Sequence, residues 1–167
     1  MRTGREFAII SVGILVTVTL LWSCPSWLHR DSWWVAFVHH FFHASVLHLA
    51  VNCYSLYIIL AYRNVTLPAV IASYICASLS WFCSGSDPVG ASNIIFALLG
   101  MRTPALSSTW WRQPATVIFF ATNIALFLFP QVSAVTHLVS FALGCMCAMC
   151  VRLYKRLSDD FRRAAYN

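Results

Sequence analysis

Six apolar runs, at about 7–23, 44–62, 65–83, 91–101, 114–130 and 134–151, follow one another with little polar sequence between them. A bilayer crossing takes about 20 apolar residues as helix. Helices are the natural element there because their backbone hydrogen bonds close internally. The breaks between runs fall at Pro25, Asp31, Arg63, Asp87-Pro88, Arg102 and Arg112, each a turn signal or a charge. With 60% hydrophobic and 10% charged residues and a mean hydropathy of +0.73 over 167 residues, nothing is left over for a soluble domain. The expected fold is all-α: one polytopic membrane domain over 1–167 with six transmembrane helices, the fourth of them short, and a basic cytoplasmic tail at 152–167.

The basic residues support that count, because cytoplasmic segments accumulate Lys and Arg. With both termini inside, Arg2, Arg5, Arg63, Arg102, Arg112, Arg152, Lys155, Arg156, Arg162 and Arg163 all fall on the cytoplasmic side, and Arg30 alone falls outside. The net charge of +6 is then mostly a record of topology, and no nucleic-acid partner is expected. Arg2 and Arg5 ahead of an apolar stretch also fit a signal peptide, but Trp22 sits poorly beside a cleavage site and removal would spoil the even number of spans. Cys53, Cys76, Cys145, Cys147 and Cys150 lie inside expected spans without a CxxC pair, where cysteine behaves as a small hydrophobe. A disulfide between Cys24 and Cys83 has only weak support from their expected position near the outer face.

Against this background one segment is conspicuous: His39, His40, His43, His48 and Asn52 are crowded into HHFFHASVLHLAVN at the start of the second run. Ionisable groups at a membrane boundary are costly, so such a cluster reads as a functional site. Its candidate partners are Ser92 in GASN and His137 in VTHL. Helix rise from the nearest cytoplasmic arginine puts Ser92 roughly 15 Å, Asn52 roughly 16 Å, and His48 and His137 roughly 22 Å above the inner boundary. All four therefore share the middle or outer part of a core about 30 Å thick. Only Pro88 to Met101 separate Asp87 from Arg102, too few residues for a full crossing, so Gly85, Pro88 and Gly90 are expected to let the chain dip inward before Ser92. Ser140, Gly144 and Ala148 follow His137 as a small-residue stripe, and Ser92, Phe96 and Gly100 form the answering face of the fourth helix.

A serine hydroxyl becomes a competent nucleophile when a neighbouring histidine takes its proton. His48 and Asn52, four residues apart on one helix face, would donate to the oxyanion formed when an acyl carbon is attacked. That is acyl-transfer hydrolysis, most naturally proteolysis below the membrane surface. Metal or haem ligation by the histidines is the competing reading. No HExxH is present, and the remaining ligand types show no familiar spacing, so no metal is expected. Trp27, Trp33 and Trp34 fit an interfacial aromatic belt.

Taken together, the motifs resemble those of the rhomboid family of intramembrane serine proteases in its minimal six-helix form, from about Trp34 to Ala148. His39, His43, His48 and Asn52 match H-x3-H-x4-H-x3-N. Gly90, Ala91 and Ser92, continuing as FALLG, match part of the G-x-S-G motif, and His137 with Gly144 seven residues later matches the last helix. The resemblance implies Ser92 as nucleophile, His137 as general base, and an oxyanion hole of His48, Asn52 and the Ser92 N–H. It also implies supporting roles for His39, His43, Gly90, Phe96 and Gly144, and no cofactor. The partners it implies are the lipid bilayer and transmembrane protein substrates, and the compact form points to a bacterial cytoplasmic membrane. Four positions depart from the family pattern: Asn93 for the second glycine, Phe96 for a tyrosine, Val35 for an arginine and Ser140 for a glycine. Asn93 is expected beside the nucleophile, narrowing the cleft or lending its amide to the oxyanion. The rival reading is a catalytically inactive rhomboid-like protein that binds membrane clients, and a small transporter or haem protein comes third.

Overall fold

The computed structural model describes residues 2–21, 32–62, 65–83, 89–103 and 133–166, together with Thr109, Arg112, Pro114, Val117, Ile118, Phe120, Ala121 and Ile124. Within them the elements are α1 (Arg2–Leu21), α2 (Val35–Val38), α3 (Val46–Tyr62), α4 (Leu67–Ser80), α5 (Ser92–Arg102) and α6 (Ala134–Tyr166), with 3₁₀ turns at His39–Phe41 and Trp81–Cys83. No strand occurs among the described residues. Five of the six expected spans are represented. The fifth, at 114–130, lies largely outside the described residues, as do Arg30, Asp31, Arg63, Gly85, Asp87 and Pro88.

Local chemistry fixes the helix starts that matter for the site. Ser45 caps α3 by accepting the His48 N–H at 3.1 Å, and Ser133 caps α6 by accepting the Thr136 N–H at 3.4 Å. His48 and His137 therefore both sit in the first turn of their helices. α5 has eleven residues, roughly 16 Å of helix, about half the thickness of a hydrocarbon core.

This short helix is the centre of the bundle. Asn93 and every residue from Ile95 to Gly100 are buried, and α5 packs chiefly on α6 and α4 while α3 rests against α1. Two glycines allow the closest approach. A Cβ on Gly100 would lie 2.1 Å from the Phe141 carbonyl oxygen, and one on Gly144 would lie 2.2 Å from that of Ala97. Backbone thus meets backbone along α5 and α6, the contact that small residues make available between membrane helices.

The exterior is more apolar than that of a water-soluble protein, and several small hydroxyl side chains lie inside. Large apolar side chains such as Ile9, Leu47, Ile71, Leu79, Leu138 and Met146 face outward, whereas Ser73, Ser78, Ser80, Thr136 and Ser140 are buried. The inner hydroxyls are satisfied by the chain itself: Ser73 donates to Val70, Ser80 to Ala77 and Thr136 to Ser133, at 2.7, 2.7 and 2.9 Å. Ser140 was expected on the stripe facing the fourth helix; instead its Oγ donates to Ser80 Oγ on α4 at 2.8 Å. Among the described residues, Ala134–Arg163 is long and apolar enough to cross a membrane alone. Val35–Phe41 and Val46–Ala61 pass together as a pair bent by 94°, and Ala8–Val18, Leu67–Cys83 and Ser92–Arg102 are shorter apolar helices. α6 does not stop at the expected boundary near residue 151 but runs on unbroken to Tyr166.

Candidate active site

Ser92 is the first residue of α5 and His137 belongs to the first turn of α6, and the packing of those helices brings the two side chains together. The Ser92 hydroxyl lies 2.8 Å from His137 Nε2, within hydrogen-bond range for a hydroxyl donating to an imidazole nitrogen. Phe96, one turn along α5, lays its ring on the imidazole with centroids 4.4 Å apart and planes tilted by 38°. His137 is 3% exposed, and its Nδ1 has no hydrogen-bond partner among the described residues.

A cavity of about 290 Å³ opens beside this pair, walled by His48, Asn52 and Ser55 of α3, by Ser92, Ile95 and Phe96 of α5, and by His137. The Asn52 amide nitrogen is buried and has no partner among the described residues. Gly90 lies against the His48 and Asn52 side chains. It holds φ at +107°, and a Cβ there would come within 2.7 Å of the His48 ring and 3.1 Å of Asn52 Nδ2. Both the backbone angle and the lack of space require glycine.

His39 and His43, by contrast, reach the turn before Ser92 rather than the cavity. The His39 carbonyl accepts the Gly90 N–H at 3.1 Å, and His43 Nε2 accepts the Ala91 N–H at 3.4 Å. His39 Nδ1–H donates to the Val35 carbonyl at 3.2 Å, and its ring packs against Trp81 with centroids 4.7 Å apart. Sequence reasoning gave His40 no role, yet it is fully buried with Nε2 3.2 Å from Ser78 Oγ. Because the Ser78 hydroxyl donates to Tyr74, the imidazole must be the donor in that pair. Tyr74 in turn donates to the Phe37 carbonyl. Asn93 is 1% exposed and turns away from the cavity; its Nδ2 lies 3.4 Å from His39 Nε2. It is not among the residues that wall the cavity.

No group of three or more His, Cys, Asp or Glu side chains suited to a metal occurs among the described residues. The family model of the Rhomboid domain matches residues 30–154, about three quarters of the chain. No curated protein and no solved structure matches it significantly. With an all-helical fold, an apolar exterior and that match, the chain belongs to the rhomboid family and is an integral membrane protein.

Proposed function

We propose that this protein is an intramembrane serine endopeptidase that cleaves transmembrane segments of other membrane proteins, with Ser92 as nucleophile and His137 as its general base. The observation that carries the reading is the 2.8 Å contact between Ser92 Oγ and His137 Nε2 on the wall of a cavity lined by His48 and Asn52. The family itself is largely one of serine intramembrane proteases, and its members act on membrane-protein substrates within the bilayer. We also take both termini to be cytoplasmic and the host membrane to be bacterial, on the distribution of basic residues and the compact form.

Catalysis would proceed by acyl transfer. His137 Nε2 accepts the hydroxyl proton as Ser92 Oγ bonds to the scissile carbonyl carbon, and the tetrahedral oxyanion is met by donors already in place. Asn52 Nδ2 carries no competing bond, and the His48 ring and the Ser92 N–H complete the set. The protonated His137 then gives its proton to the leaving amine, which departs with the C-terminal fragment. Water, deprotonated by the same imidazole, hydrolyses the acyl-serine and releases the N-terminal fragment. For Nε2 to act as base, the neutral ring must carry its proton on Nδ1, and Nδ1 has no acceptor among the described residues. This would be a dyad, without a carboxylate behind the histidine.

Incubation of the purified protein with a fluorophosphonate probe and with a model transmembrane substrate tests the assignment. Labelling and cleavage are expected in the wild type and in neither case for Ser92→Ala. Cleavage that persists in Ser92→Ala would refute the mechanism. A folded wild type that neither labels nor cleaves would instead favour an inactive relative that binds membrane clients.

A further inference from the structure

We propose that Asn93 is a positioning residue for Ser92: its side-chain amide donates to His39 Nε2 and so ties the 3₁₀ turn His39–Phe41 to the helix turn that carries the nucleophile. This rests on the assignment of Ser92 made above.

Ser92 is held between attachments to one short segment of chain. On its N-terminal side the Gly90 N–H reaches the His39 carbonyl at 3.1 Å and the Ala91 N–H reaches His43 Nε2 at 3.4 Å. On its C-terminal side Asn93 Nδ2 lies 3.4 Å from His39 Nε2. His39 serves both sides, through its carbonyl and through its ring. The ring is itself fixed, with Nδ1 directed at the Val35 carbonyl at 3.2 Å and the face of Trp81 alongside. Since the Nδ1 proton is committed to that carbonyl, Nε2 of the neutral imidazole presents a lone pair and requires a donor. The amide nitrogen of Asn93 supplies one, and a glycine could not.

The helix explains why the side chain points this way. Successive residues on an α-helix diverge by about 100°, so if Ser92 faces the cavity, its neighbour can face His39. Asn93 is 1% exposed there, and its Oδ1 has no partner among the described residues. With a buried acceptor left over, the amide's contribution lies in the donor half.

The full-length protein in detergent can test this in three variants. Asn93→Leu keeps comparable volume without a donor, Asn93→Gly removes the side chain, and Asn93→Asp keeps the shape. For the first two, the rate of Ser92 labelling by a fluorophosphonate and kcat on a model transmembrane substrate are expected to fall about tenfold, with KM within about twofold. Amide hydrogen exchange at Gly90 and Ala91 should accelerate. Asn93→Asp rebuilds the link only when a proton is shared between carboxyl and imidazole. Its labelling rate should therefore approach wild type at low pH and fall away as pH rises, a profile that lost packing does not produce. Asn93→Gly covers the case in which leucine fails to fold. Wild-type labelling rates in both Asn93→Leu and Asn93→Gly would overturn the inference while leaving Ser92 as nucleophile. Absence of labelling in the wild type would overturn both.

Discussion

Alanine at position 137 is expected to lower kcat for a transmembrane substrate by at least about 10³-fold, with KM little changed. A serine hydroxyl at neutral pH is almost fully protonated, so its attack needs an acceptor for the proton as the bond forms. Among the described residues that acceptor is His137 Nε2 at 2.8 Å. The substrate would be bound mainly by the apolar walls of the cavity, which the substitution leaves in place, so the loss should appear in turnover. Groups that act as one unit also fail to add. Ser92→Ala, His137→Ala and the double variant should therefore share nearly the same residual rate. A double variant much slower than either single one would mean that the two side chains act independently, and would sink the dyad.

The second large effect is expected from a residue that touches no substrate. Gly144→Ala should cut cleavage by about 10²-fold and lower the unfolding midpoint. A Cβ at this position would sit 2.2 Å from the Ala97 carbonyl oxygen, and that atom belongs to the backbone of a buried helix. It cannot rotate aside, so α5 and α6 must separate or slide. Ser92 and His137 ride on those two helices and meet at 2.8 Å. A shift of less than an ångström takes them beyond hydrogen-bond range. Gly100→Ala, facing the Phe141 carbonyl at 2.1 Å, should behave alike. Gly13 in α1 is the control, since a Cβ there meets nothing within 4 Å. Alanine at position 13 should be neutral or stabilising, because glycine inside a helix is weaker than alanine by roughly 1 kcal/mol. If Gly144→Ala melts and cleaves like Gly13→Ala, the close approach of α5 and α6 is not what holds the site.

Much of this was legible in the linear sequence because membrane proteins write their constraints into composition. The apolar runs pointed to helices, and among the described residues helices stand at five of the six. Gly144 and Gly100 could be read as a close contact because small residues at helical spacing have few other uses in lipid. What the sequence left open was direction around each helix axis. Ser140 follows His137 by three residues and was assigned to the same face, but the offset is enough to turn it toward Ser80 on α4. Asn93 follows Ser92 by one residue and looked like a neighbour in the cleft, yet it points to His39. His40, beside His39 in the chain, hydrogen-bonds to Ser78 on another helix.

By itself, then, the sequence determined an all-helical membrane protein and the residue types available for acyl transfer, since hydropathy and side-chain chemistry are local properties. The tertiary structure decided which of those groups touch. Ser92 and His137 are 45 residues apart in the chain. They meet because two glycines let the backbones of α5 and α6 come together, and a contact of that kind depends on rotation and separation between helices, which no local rule encodes.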